Sequence, residues 1–107
     1  MVGSGSISAV DMFNNLGKKI IHTGGTDAVT YDVPSMKETE HVGKTWTVVN
    51  AGTGDIDLNL GGGSFTKLYS GGSQATGLST IKLLKGGVAE LVVIPDGVIV
   101  AFGSGLI

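Results

Sequence analysis

Glycine interrupts this chain before an amphipathic helix can be established. There are 19 glycines against 2 prolines, with no three-residue period of the collagen kind. Between the glycines lie short runs rich in β-branched and aromatic residues. The clearest run is Asp55-Ile56-Asp57-Leu58-Asn59-Leu60, which alternates polar and apolar at every step. A period of two marks a strand with one buried face. Ile56, Leu58 and Leu60 are therefore expected inside, with Asp55, Asp57 and Asn59 outside.

Further strands are expected over residues 19–22, 28–33, 44–50, 64–69 and 78–84. Ala51-Gly52-Thr53-Gly54 reads as a hairpin loop between strand 44–50 and strand 55–60, with glycine supplying positive φ. Residues 70–77 read as a polar loop. The last hairpin pairs 88–94 with 98–102 around Pro95-Asp96-Gly97. There proline presets the turn and Gly97 takes its left-handed position. Strand 98–102 is apolar on both sides, so it is expected to be central or covered by another subunit. The fold class expected is all-β: a small β-sandwich or barrel of seven to eight short antiparallel strands. The strands form one domain, residues 18–107, behind a flexible N-terminal arm, residues 1–17.

In that arm Ser8 is placed to cap a short helical turn over residues 9–13. Ile7, Val10, Met12, Phe13 and Leu16 are more apolar than a frayed terminus requires, and they are the candidate contacts with a partner. Removal of residues 1–16 is expected to leave the β domain folded.

Charge and composition exclude several classes. The formal net charge is −2, from 7 basic and 9 acidic residues. No basic patch offers the cationic footprint that nucleic-acid binding needs. No stretch is apolar enough to span a membrane, and the first residues lack the charged and apolar regions of a signal peptide. Without cysteine there is no disulfide or thiolate site. A glycine-rich chain with no such staple is expected to gain stability by associating with copies of itself or with a partner.

The chemical motifs dissolve on inspection. Val42-Gly43-Lys44-Thr45 ends like a phosphate-binding loop, but Glu38 stands where the first glycine belongs and a strand follows. Asp55, Asp57 and Asn59 match the first ligands of a calcium loop, but Leu60 and Thr66 replace its glycine and glutamate. His22 and His41 are too few for a cupin-type metal site. No glycine-flanked serine opens a helix as a nucleophile elbow does. Trp46, in an apolar-rich strand, is expected to anchor the core. No catalytic residue and no cofactor is expected.

Residues 45–60, Thr-Trp-Thr-Val-Val-Asn-Ala-Gly-Thr-Gly-Asp-Ile-Asp-Leu-Asn-Leu, run from a strand ending in Asn through a glycine-rich turn to an alternating strand. Residues 85–97, Lys-Gly-Gly-Val-Ala-Glu-Leu-Val-Val-Ile-Pro-Asp-Gly, run from a Gly-initiated strand to an Asp-Gly turn. Both phrases resemble those of small virion β-domains of tailed phages. Fibre versions often carry tryptophan after the late Asp-Gly, where Val98 and Ile99 stand here. The short chain, with a flexible segment before a compact β domain, resembles head decoration (cement) proteins. That resemblance implies a homotrimer bound to the major capsid protein on the virion surface. It also implies that the arm residues Ile7, Val10, Met12, Phe13 and Leu16 touch the shell. The alternative it leaves open is a receptor- or glycan-binding module of a tail fibre or spike.

Overall fold

The computed structural model describes residues 1–25, 27–69 and 72–107. It is 59% strand and 12% helix, with nine strands in one mixed sheet. The strands are β1 (Val2–Gly3), β2 (Lys19–Gly24), β3 (Val29–Val33), β4 (Thr45–Gly52), β5 (Ile56–Leu60), β6 (Ser64–Leu68), β7 (Gln74–Leu78), β8 (Thr80–Ile94) and β9 (Val98–Leu106). Among the described residues one α-helix, α1 (Ala9–Asn14), lies between β1 and β2, and two short 3-10 turns, Thr39–His41 and Pro95–Gly97, make up the rest of the helix. The Ser8 side chain accepts a hydrogen bond from the Asp11 backbone N–H at 3.3 Å, as the sequence predicts.

The principal path across the sheet is β1-β2-β4-β8-β9-β6-β7, with β3 beside β5 and β5 beside β8. The pairing is not the purely antiparallel one that the sequence led one to expect. β1 with β2, β2 with β4, β3 with β5 and β6 with β9 all pair in parallel. The reason is visible at Ala51–Gly54. β4 and β5 do not turn back on each other there; both run antiparallel to β8, one after the other. Thr45 lies opposite Val92 and Val49 opposite Val88, then Ile56 lies opposite Leu83 and Asn59 opposite Thr80. What reads as a hairpin loop is an interruption in a single pass of the chain. β2 and β3 follow the same course beside β4 and β5, with Lys19 opposite Thr47 and Val29 opposite Ile56.

Each pass breaks along a common line, and glycine stands at the break. Gly24 and Gly25 lie on the first pass, Gly52 and Gly54 on the second, Gly86 and Gly87 within β8, and Gly103 and Gly105 within β9. At Gly52, Gly87 and Gly103 the line has no room for a side chain. A Cβ on Gly103, where φ is 145°, would collide with the Val88 carbonyl oxygen, and one on Gly52 would come within 2.6 Å of the Gly24 oxygen. Asn50 knits this seam from inside. Its buried side-chain amide donates to the carbonyls of Gly54 at 2.9 Å and Leu83 at 3.1 Å, and its oxygen accepts from Gly52 N–H at 3.2 Å. These bonds satisfy carbonyls that the interrupted ladder leaves free.

Other expectations hold in outline. Ile56, Leu58 and Leu60 are buried, with Asp55, Asp57 and Asn59 half-exposed between them. β8 and β9 form the expected final hairpin, with Ile94 opposite Val98. Gly97 has φ 74°, and Asp96 also adopts a left-handed conformation, φ 70°. β9 is central in the sheet, paired along its edges with β8 and β6, while its outward side chains Val98 and Val100 stay half-buried and Phe102 exposed. The strands expected over 78–84 and 88–94 are not separate: residues 80–94 form one strand, carried through a register shift between Leu83 and Val88, while Leu78 ends β7. The expected polar loop 70–77 contains β7, a largely exposed edge strand. Its Ser70 and Gly71 lie outside the described residues.

Candidate interaction surfaces

The N-terminal residues are not a loose arm. Val2 and Gly3 pair with Ile21 and His22, and Ile7 bridges Tyr31 in parallel. Ile7 N–H donates to Thr30 O at 3.0 Å, and Asp32 N–H donates to Ile7 O at 2.9 Å. Ile7 and Met12 are buried in the common core, and Leu16 packs partly against it. The apolar surface of these residues is therefore spent within the chain. Only Val10 and Phe13, at 69% and 45% exposed, face outward from α1. Phe13 stands edge-on to the His41 ring, centroids 5.4 Å apart, and His41 precedes the exposed Val42.

Trp46 is fully buried, and its indole N–H donates to the Met12 carbonyl at 2.7 Å. Its ring and its only polar atom are both committed, so it offers no stacking platform for a sugar. A second apolar surface lies on the outer face of β8 and β9. Val88 and Phe102 are exposed there, and Val92, Ile94, Val98 and Val100 are half-buried on the same face by strand alternation. Glu90, opposite Phe102, is the charge among them, and it accepts a hydrogen bond from the Thr47 hydroxyl at 3.3 Å.

A recess of about 540 Å³ opens beside α1, lined by Ala9, Asp32, Val33, Pro34, Ser35, Asn59 and Gly61. Asn59 is not free in it, since its side-chain oxygen accepts from the Thr80 hydroxyl at 2.8 Å. Asp57 lies 3.9 Å from the Lys82 ammonium. Among the described residues no group of three or more His, Asp or Glu side chains is arranged to hold a metal ion. No helix among them is long and apolar enough to cross a membrane. Thr45, after Val42-Gly43-Lys44, opens β4 rather than a helix, so the phosphate-loop geometry is not formed.

The two histidines occupy different settings. His41 is half-buried at the surface, its Nε2 3.9 Å from Glu40. His22 is fully buried against the edge of Tyr31, ring centroids 5.9 Å apart. Neither His22 ring nitrogen has a hydrogen-bond partner among the described residues. Burial lowers the His22 pKa below its ordinary 6.5 and pushes the Tyr31 phenol up to about 12. Sequence reasoning placed neither His22 nor Asn50 in the core. Each takes an inward position of a strand, which the alternation of its neighbours could have disclosed.

No family model, curated protein or solved structure matches this chain. The surfaces themselves are therefore the basis for a reading of function.

Proposed function

We propose that this chain is a virion structural protein, a capsid decoration (cement) protein that binds the major capsid protein and associates with itself as a trimer. The observation that carries the reading is the pairing of a buried Trp46 with apolar side chains left on two outer faces. Val88 and Phe102 lie on one, Val10 and Phe13 on the other. Exposed apolar patches of this kind mark association surfaces. In this proposal the β8–β9 face joins subunits and the α1 face meets the shell. The sandwich arrangement belongs to the same proposal: the glycine seam is where the sheet would bend over itself, as strands do at sandwich corners. The resemblance of residues 45–60 and 85–97 to phage virion domains supplies the setting.

The test is the mass of the intact protein in solution by light scattering, together with cosedimentation with empty capsids. A trimer that sediments with capsids is the expected result. A monomer that stays in the supernatant ends the proposal. The recess lined by Asp32, Ser35 and Asn59 favours a second reading, a glycan-binding module of a phage tail, because carboxylate and amide groups suit sugar hydroxyls. No aromatic side chain lines it, so the reading stands second. Binding on a glycan array that is lost in Asp32→Ala would promote it.

A further inference from the structure

We infer that the N-terminal segment, residues 1–16, exchanges between copies of this chain, so that each β domain is closed by its neighbour's segment. The inference rests on the self-associating reading above and specifies how the copies are joined.

The segment's contacts go to the body of the domain. β1 pairs with β2, and Ile7 pairs with β3. The Ser6 hydroxyl accepts from Thr30 N–H at 3.1 Å, and the Met12 carbonyl accepts from the Trp46 indole. Ile7 and Met12 complete the core of the β domain. Apart from the turns of one short helix, the segment is held by the body rather than by itself. Every one of these contacts forms equally well whether the segment comes from the same chain or from another. The body, in turn, is incomplete alone: without a segment, the β2–β3 edge is unpaired and the Trp46 indole N–H has no acceptor.

The connection between segment and body is a single tight turn. Lys18 N–H donates to Asn15 O at 3.0 Å, and Gly17, at φ 85°, donates to Thr45 O at 2.7 Å. Straightening that turn is all that separates the closed form from the exchanged one. In dilute solution a segment's own body has the advantage of an effective concentration of roughly millimolar. Copies held side by side on a lattice, or concentrated to that level, remove the advantage.

The chain has no cysteine, so introduced thiols report cleanly. Val2→Cys and Ile21→Cys are made as separate variants, because these two positions are direct cross-strand partners. The two proteins are mixed at high concentration, oxidised and separated on a denaturing gel without reductant. Exchange gives a disulfide heterodimer well above the share expected of random coupling. A heterodimer at or below that share overturns the inference. Gly17→Ala gives an independent reading should either cysteine variant misfold. An L-residue at this φ disfavours the closed turn but not the open hinge, so self-association should tighten about tenfold. Unchanged self-association, read by light scattering, overturns the inference as well. Capsid cosedimentation of the parent is scored separately: its absence with exchange intact overturns only the decoration reading.

Discussion

His22 carries a fully buried imidazole whose two nitrogens find no partner among the described residues. A neutral ring so placed forgoes the hydrogen bonds that water gives it in the unfolded chain, a loss of about 1–3 kcal/mol. The sign of its pH effect follows from burial. Its folded pKa is lowered, so the unfolded state binds the proton first. Stability should be full above the ordinary value of 6.5 and decline as pH falls below it toward the lowered folded value, by at most about 1.4 kcal/mol per pH unit. His22→Leu should be neutral or stabilising at pH 7 and should remove this decline. Urea unfolding at pH 7, 6 and 5 measures both, and an unaltered pH slope would exclude His22 as its source. Asn50 is the opposite case, a buried amide with all its bonds made. Asn50→Ala strands the Gly54 and Leu83 carbonyls and should lose about 2–5 kcal/mol. Asn50→Asp turns a donor into an acceptor facing both oxygens and should be worse than alanine. Equal stabilities of the two variants would mean that the amide does not bridge the seam.

The final hairpin and the glycine seam are stabilised by backbone geometry rather than by side-chain contact. Gly97 holds φ 74°, and a Cβ there would press on the Lys37 side chain, 3.2 Å away at its nearest atom, with the Gly62 oxygen in ordinary contact at 3.8 Å. That chain is flexible, so Gly97→Asn should be tolerated, while Gly97→Val, β-branched at a left-handed position, should destabilise. Gly103 is different, because its obstruction is the backbone of β8. Gly103→Ala should therefore shift the melting temperature down by more than Gly97→Asn, despite the smaller side chain. The reverse order in a thermal melt would contradict the packing of β9 on β8. Within β5, Leu58 is fully buried, and Leu58→Ala should lose about 2–5 kcal/mol in denaturant unfolding. The alternation of β5 was legible because one face is core and the other meets water. The polar β7 was not, because an edge strand gains its place from the ladder of β6, and pairing leaves little imprint on side-chain hydrophobicity.

For the molecule as a whole, the N-terminal segment decides stability as well as any contact with a shell. The sequence led to the expectation that residues 1–16 can be removed without loss of fold. The structure adds a cost to that removal, since Ile7 and Met12 lie in the common core and Trp46 bonds to Met12. Trp46 is the only tryptophan, so its fluorescence reports this directly. Emission of the intact chain should be that of a buried indole. The chain lacking residues 1–16 should emit at longer wavelength and unfold at lower denaturant concentration. An unshifted spectrum with unchanged stability would mean that the segment does not seal the core. Double substitution of Val10 and Phe13 to serine leaves the buried residues in place. It should spare the melting temperature to within a few degrees, as surface changes do, while reducing capsid cosedimentation.

The sequence by itself determined that this chain is built of strands, which face of β5 turns inward, that Trp46 lies in the core, and where the Pro95-Asp96-Gly97 turn lies. Those features follow from local rules: a period of two, β-branched runs and residues able to take positive φ. It also held the glycines of the seam, but as isolated turn signals. Only the tertiary structure showed that they form one line. A glycine permits a hairpin or an in-line break equally well, and the choice between them is made by whether β8 is there to pair with both sides of the break. The same holds for the first sixteen residues. Their apolar side chains announce that something must cover them, yet whether the cover is this chain's own core or a partner is a matter of where distant strands leave an open edge. For Ile7 and Met12 the fold supplied the cover, because β2, β3 and Trp46 present an edge and a donor that the segment, running parallel beside them, satisfies.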